Sequence, residues 1–176
     1  MIWDKKGKID LSEYINEFDF VTEFATLPTP LKISDEIIRV YVGFCNRDNV
    51  SSIGFVDVSA DDPTKVLNVS RKPILEPGRP GCFDDNGVVP LSVIEHNGKI
   101  LLYYVGFQLA TKVPYFMFGG LAVSNDGEKF ERFSEVPVLD RRDNELYARC
   151  GMYAVKEADA FKMWYIGTLG GVDKKR

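Results

Sequence analysis

Apolar and polar positions alternate along most of this chain in short runs, and no stretch sustains the 3.6-residue period of an amphipathic helix. The middle of the sequence shows this most plainly. Val89 to Glu95, Lys99 to Phe107 and Phe116 to Ser124 read as strands rich in Val, Ile, Tyr and Phe, followed by a shorter run from Lys129 to Phe133. Asn97-Gly98 and Asn125-Asp126-Gly127 separate them with residues that accept the positive φ of tight turns. The predicted unit is a four-stranded antiparallel meander.

The unit repeats. Arg39-Val40-Tyr41-Val42-Gly43-Phe44 returns as Leu102-Tyr103-Tyr104-Val105-Gly106-Phe107 and again as Lys162-Met163-Trp164-Tyr165-Ile166-Gly167, with the glycines 63 and 61 positions apart. Gly54 is answered by Gly120 after 66 positions, and Pro73-Ile74-Leu75 by Pro137-Val138-Leu139 after 64. Meanders repeated radially form propellers, so the expected fold is all-β: a partial five-bladed β-propeller of about two and a half blades. Blade 1 is expected at 24–75, blade 2 at 84–139 and a partial blade 3 at 147–168, within one domain over 1–176. Five such periods need about 300 residues. The expectation is therefore an oligomer that shares blades or a truncated piece of a longer propeller, with a self-contained sandwich of about ten strands as the competing fold.

Size and charge narrow the function classes. The 176 residues are 45% hydrophobic and 27% charged, enough for a sizeable core. A net charge of −4 without a Lys/Arg stripe argues against a nucleic-acid partner, and the Lys174-Lys175-Arg176 run reads as a solvated tail. No apolar run is long enough to span a bilayer and the first residues lack an apolar signal region, so a cytoplasmic location is expected. Cys45, Cys82 and Cys150 fit neither a disulfide framework nor paired zinc ligands and read as buried thiols. His96 is the only histidine and sits in a turn, which leaves no Ser/His/Asp set. No Gly-rich strand-to-helix cradle is present, and no cofactor or metal is expected.

Several segments carry a family likeness. Asn46-Arg47-Asp48, Ser51-Ser52-Ile53-Gly54, Gly81-Cys82-Phe83-Asp84-Asp85-Asn86-Gly87-Val88-Val89-Pro90, Leu102 to Phe107 and Phe161-Lys162-Met163-Trp164-Tyr165 resemble the five-bladed β-propeller glycosidase-like proteins. These are related to glycoside hydrolase families 32, 43, 68 and 130, and the likeness runs from about Trp3 to Gly167 along their N-terminal half. It implies a carbohydrate-active protein with a saccharide or glycoside ligand, a glycoside hydrolase if active. The alternative is a non-catalytic carbohydrate-binding or assembly module, or an inactive fragment.

Glycoside cleavage needs an acid and a second carboxylate. In the resembled enzymes these come from the innermost strands of successive blades and point into a central funnel, and the corresponding places in this sequence are the lead-ins to those strands. Here the second lead-in offers Asp84 and Asp85, and the third offers Glu145 with Arg149 four residues on as a partner. The first, Phe24 to Pro30, has no acid, which leaves Arg47 and Asp48 on the neighbouring loop as candidate substrate contacts. The phosphorylase Glu-Asp-Pro-Arg signature falls on Val88-Val89-Pro90-Leu91, where its acid is absent. Each candidate also has a structural reading. Asp84-Asp85-Asn86-Gly87 and Asp126 fit turns, Arg47-Asp48 fits a local ion pair, and Glu145 fits a charged surface run. Tyr41, Tyr104 and Trp164 fit equivalent positions in an inter-blade core.

Overall fold

The computed structural model describes residues 4–22 and 25–168; Trp3, Phe24 and the Lys174-Lys175-Arg176 run lie outside them. Ten strands follow one another with no helix among the described residues. They are β1 (Ala25–Lys32), β2 (Ile37–Cys45), β3 (Ser51–Ser59), β4 (Val66–Val69), β5 (Val88–His96), β6 (Lys99–Leu109), β7 (Tyr115–Ser124), β8 (Glu131–Arg132), β9 (Ala148–Glu157) and β10 (Ala160–Gly167).

The first four strands form one antiparallel sheet in sequence order, and β5 to β8 form a second meander. β-branched and aromatic residues fill the central strands, where their stiff side chains suit a pleated surface. The hairpin joining β5 to β6 turns through Asn97 and Gly98, both at positive φ (51° and 71°), as a two-residue turn of matching twist requires. Residues 73–75 and 137–139 each lay a short bridge on the third strand of a meander, Ile53 to Leu75 and Gly119 to Leu139. The chain is thus a partial propeller: two four-stranded units followed by the β9–β10 hairpin, which opens a third. That hairpin is not a separate sheet, because β9 starts alongside β7 and pairs with it in parallel at Met117 and Phe118 before β8 pairs with the far end of β7.

A recurring bulge fixes the phase of the repeat. β1 is irregular between Thr26 and Thr29, β5 between Pro90 and Ser92, and the β9–β10 ladder between Trp164 and Ile166. In each unit the bulge follows one cross-strand pair, namely Thr29 with Tyr41, Ser92 with Tyr103 and Tyr153 with Trp164. Tyr41, Tyr103 and Trp164 therefore occupy one structural position, and Tyr104 belongs to the opposite face. Gly43 corresponds to Val105, one residue away from the Gly43–Gly106 match seen in the sequence. Gly54 and Gly120 do coincide, facing Val42 and Tyr104.

Three apolar clusters hold the layers together. Tyr41, Ile53 and Phe55 of the first sheet join Leu102, Tyr104 and Phe118 of the second around Phe83 and Phe130. The other face of the first sheet, with Val40, Val42, Phe44, Val56 and Val58, is covered by Ile9, Leu11, Tyr14, Phe18, Phe20 and Val21 of the N-terminal segment. The other face of the second sheet, with Val89 and Val105, packs on Ala148 and Cys150 of β9. One charge pair is enclosed in this apolar setting: Arg39 donates from Nε and Nη2 to the Asp57 carboxylate at 2.7 and 2.9 Å, with its guanidinium 3.7 Å above the Phe55 ring. No helix among the described residues is long and apolar enough to cross a membrane.

Candidate functional site

The lead-ins to β5 and β9 build the same device twice. Asp84 sits against Gly106 and accepts a 3.0 Å hydrogen bond from the Tyr104 hydroxyl and a 2.8 Å charge-assisted one from Arg132 Nε. Sixty-one residues later Glu145 sits against Gly167, accepts a 3.4 Å bond from the Tyr165 hydroxyl and lies 2.9 Å from Arg149 Nε. The Arg149 contact is an ion pair too oblique to be a hydrogen bond, since Nε has no hydrogen-bond acceptor among the described residues while Nη1 donates to the Asp140 carbonyl at 2.6 Å. The same guanidinium stands 4.9 Å from the Tyr165 ring centroid. Only glycine tolerates a carboxylate at such range, which explains Gly106 on β6 and Gly167 on β10. In the first unit the corresponding place is apolar: Val21 and Phe44 share one cluster.

Accessibility separates the two acids. The Asp84 side chain is 0% exposed, and that of Glu145 is 14% exposed. Burial, then the charge of Asp84, pushes the Tyr104 hydroxyl well above its ordinary pKa, so it remains a donor to that carboxylate. Asp85 is half-buried, and its Oδ2 accepts from the Gly81 backbone N–H at 2.8 Å, a turn-stabilising contact. Asp126 is likewise a turn residue. Bonds from the backbone N–H groups of Glu128 and Lys129, then the Ser124 hydroxyl, lower its pKa to about 2.

The remaining candidates lie elsewhere. Arg47 and Asp48 are exposed on the β2–β3 loop and border a depression shared with Asn16, Phe18 and Asp19. No ion pair joins Arg47 to Asp48 among the described residues; Asp48 instead donates its backbone N–H to Asn46 Oδ1. The structure thus brings Glu145 and Arg149 together and keeps them, Asp84 and the Arg47-Asp48 loop in separate sets of contacts.

A cleft of about 320 Å³ opens between the first two sheets, at the end where β1 and β5 begin. Its wall includes Thr26 on β1, Asn49 before β3, Ser51 at the start of β3, Asn86 before β5, and Phe107 and Tyr115 at the facing ends of β6 and β7. Tyr115 meets Phe107 edge-on with ring centroids 5.7 Å apart. Cys45, Val89 and Leu109 complete the lining, which is apolar over much of its area, carries hydroxyl and amide groups, and includes no carboxylate or cation. Such neutral donors and acceptors beside a ring suit a polyhydroxylated ligand. Ser51, Asn86 and Phe107 fall in segments that carry the family likeness, but none of the lining residues was a site candidate, because Thr, Asn and Ser near turns look like ordinary turn chemistry; only the fold shows that these segments converge. A larger depression of about 420 Å³, bordered by Lys99, Asp126 and Glu131, lies at the opposite end of the second sheet, away from the lead-ins.

No family model matches this chain. Two uncharacterized proteins of Mycobacterium tuberculosis, from strains CDC 1551 / Oshkosh and H37Rv, are 35% identical over 170 residues, which make up 97% of this chain and 56% of each relative. The chain therefore spans little more than half the length of these relatives. Among solved structures, Zg3597, a family 117 glycoside hydrolase produced by Zobellia galactanivorans, matches with a TM-score of 0.51 at 19% identity, covering 81% of this chain and 43% of that one. A second structure, described as a glycoside hydrolase, matches with a TM-score of 0.56 at 16% identity, covering 88% of this chain and 54% of that one. At these identities the likeness establishes the fold alone: the chain has an all-β, partial-propeller architecture and matches about half of each of these structures.

Proposed function

We propose that this chain is the saccharide-recognising part of a carbohydrate-active propeller, with its ligand entering the cleft between β1 and β5. The observation that carries this reading is the lining of that cleft: Thr26, Asn49, Ser51, Asn86 and Tyr115 offer neutral hydrogen-bonding groups beside an aromatic pair. Asp84 and Glu145 are then positioning residues. Each ties a lead-in to its own blade through a tyrosine and an arginine.

A hydrolytic reading has one observation in its favour. Glu145 keeps part of its carboxylate surface open beside Arg149, and Asp85 is half-buried on the adjacent lead-in, so two acids remain within reach of solvent. In that reading Asp85 and Glu145 carry the acid chemistry, with Arg47, Asp48 and Arg149 as substrate contacts. Titration calorimetry against a panel of neutral oligosaccharides, run alongside turnover of aryl glycosides, separates the two. Saturable binding without turnover supports recognition alone. Turnover that disappears in both Asp85→Asn and Glu145→Gln, with unfolding midpoints unchanged, supports hydrolysis. Absence of both binding and turnover removes the carbohydrate assignment.

A further inference from the structure

The face that Tyr41 and Tyr103 present to the next blade recurs on the β9–β10 hairpin, where nothing among the described residues covers it. In the first unit Tyr41 is 0% exposed, with Phe130 packed edge-on at 5.6 Å. Gly43, beside it, leaves no room for even a methyl group: a Cβ there would come within 2.5 Å of Val89 Cγ1 of the following blade. In the second unit Val105 is 4% exposed, and Ser92 accepts a hydrogen bond from the Ala154 N–H of β9. The matching residues of the third unit, Tyr153, Trp164 and Ile166, are 59%, 56% and 62% exposed. Three large apolar side chains thus stand in solvent at positions that are buried in the first unit and, in the second, buried at Ser92 and Val105 and half-buried at Tyr103.

Among the described residues the outer edge of β10 is open as well. β2 pairs with β3 through nine residues and β6 with β7 through ten, whereas β10 has β9 on one side only. An unpaired edge next to an apolar face is a template for an added strand.

We propose that this face docks a polypeptide of two further β-blades, equivalent to the part of the Mycobacterium tuberculosis relatives outside the matched region. Its first strand adds antiparallel to β10, and its next blade covers Tyr153, Trp164 and Ile166. Two observations select this occupant. The match takes up 56% of each relative, so about 130 residues remain there, which is two repeat periods. A second copy of this chain offers no equivalent seat: the face of its first sheet that would have to receive the hairpin is already filled by Ile9, Leu11, Tyr14, Phe18 and Phe20. This inference is independent of the saccharide reading.

The test co-expresses this chain with the relative's remaining segment and measures the purified mass by light scattering. A one-to-one complex is expected, and Trp164→Asp with Ile166→Asp is expected to weaken it about tenfold or more while leaving the unfolding midpoint of the chain unchanged. Homodimers of this chain, or monomers with no complex, overturn the proposal. Hydrogen exchange covers the case in which the segment fails to fold. Amides matching β10 are expected to be strongly protected in the intact relative and to exchange freely in this chain. Equal exchange in the two proteins overturns the proposal.

Discussion

The Tyr41 hydroxyl donates to the Gly127 carbonyl at 3.1 Å, joining the second strand of one blade to the β7–β8 turn of the next. Arg39 Nη1 donates to the same carbonyl at 3.2 Å, so one turn oxygen receives two donors from a neighbouring sheet. The turn can present that oxygen because Gly127 adopts φ 74° and the Asp126 side chain holds the two N–H groups that follow. Inter-blade cohesion therefore combines apolar packing with a directed polar clasp.

Tyr41 also sets an alkaline limit on stability. Its burial, partly offset by the charge of Arg39, pushes the hydroxyl up to about 12 from an ordinary 10.0. Below pH 10 the group is protonated in both folded and unfolded chains, and its contribution is fully present. Between pH 10 and about 12 the unfolded chain loses this proton first, so stability falls as pH rises. Urea unfolding across this range is expected to show that decline, with a shallower slope in Tyr41→Phe. At neutral pH the same variant is expected to lose about 1 kcal/mol, the net value of one buried hydrogen bond. An unchanged alkaline slope would remove Tyr41 from the account.

The Arg39–Asp57 pair predicts a larger effect. Both side chains are nearly enclosed (6% and 7% exposed), and Asp57 also accepts from Asn68 at 3.4 Å. Removing one member leaves the other charged in an apolar layer, so Asp57→Ala is expected to cost about 3–5 kcal/mol. Glu128 reaches Arg39 at 3.2 Å from a side chain 61% exposed, and Glu128→Gln is expected to change stability by less than about 1 kcal/mol. Comparable losses in the two variants would show that the pair is not effectively buried.

A similar contrast tests the repeated acid device. Asp84→Asn deprives Arg132 of its counter-ion at a wholly buried position and is expected to destabilise by about 3 kcal/mol. Asp85→Asn keeps an oxygen for the Gly81 N–H and is expected to stay within about 0.5 kcal/mol of the parent. Thermal melts report the difference. If Asp84→Asn folds normally and instead abolishes saccharide binding, the carboxylate touches ligand and the positioning role fails.

These relationships mark how far the sequence could be read. Turn residues such as Asn97-Gly98 and the β-branched runs placed β5, β6 and β7 to within two residues of their observed ends, because both signals are local. The phase of the repeat was not local. Gly43 and Gly106 look alike as letters, yet the strand pairing puts Gly43 in register with Val105, and only Pro28 and Pro90 at the irregular stretches of β1 and β5 hint at the bulges there. Partnerships were hidden for the same reason: Arg132 meets Asp84 from 48 positions away, and Asp57 faces Arg39 only because β2 and β3 align them. A lone Arg and a lone Asp inside otherwise apolar strands were the available hint. Trp164, expected in an inter-blade core, does occupy the position of Tyr41, but it lies exposed since the blade that would cover it is absent from the described residues.

The cleft gives the last prediction. Tyr115 is 42% exposed, and its ring leans edge-on against Phe107, forming a wall that a sugar ring can pack against. It stands at the very start of β7 opposite Leu109, so truncation removes little from the core. Tyr115→Ala is expected to weaken saccharide binding about 2- to 10-fold, the value of one aromatic contact, with melting temperature shifted by no more than a few degrees. Tyr115→Phe keeps the ring and is expected to retain most of the affinity. Calorimetric titration of both variants checks this. If Phe fails as badly as Ala, the hydroxyl rather than the ring makes the contact; if neither variant changes affinity, the ligand does not use this cleft.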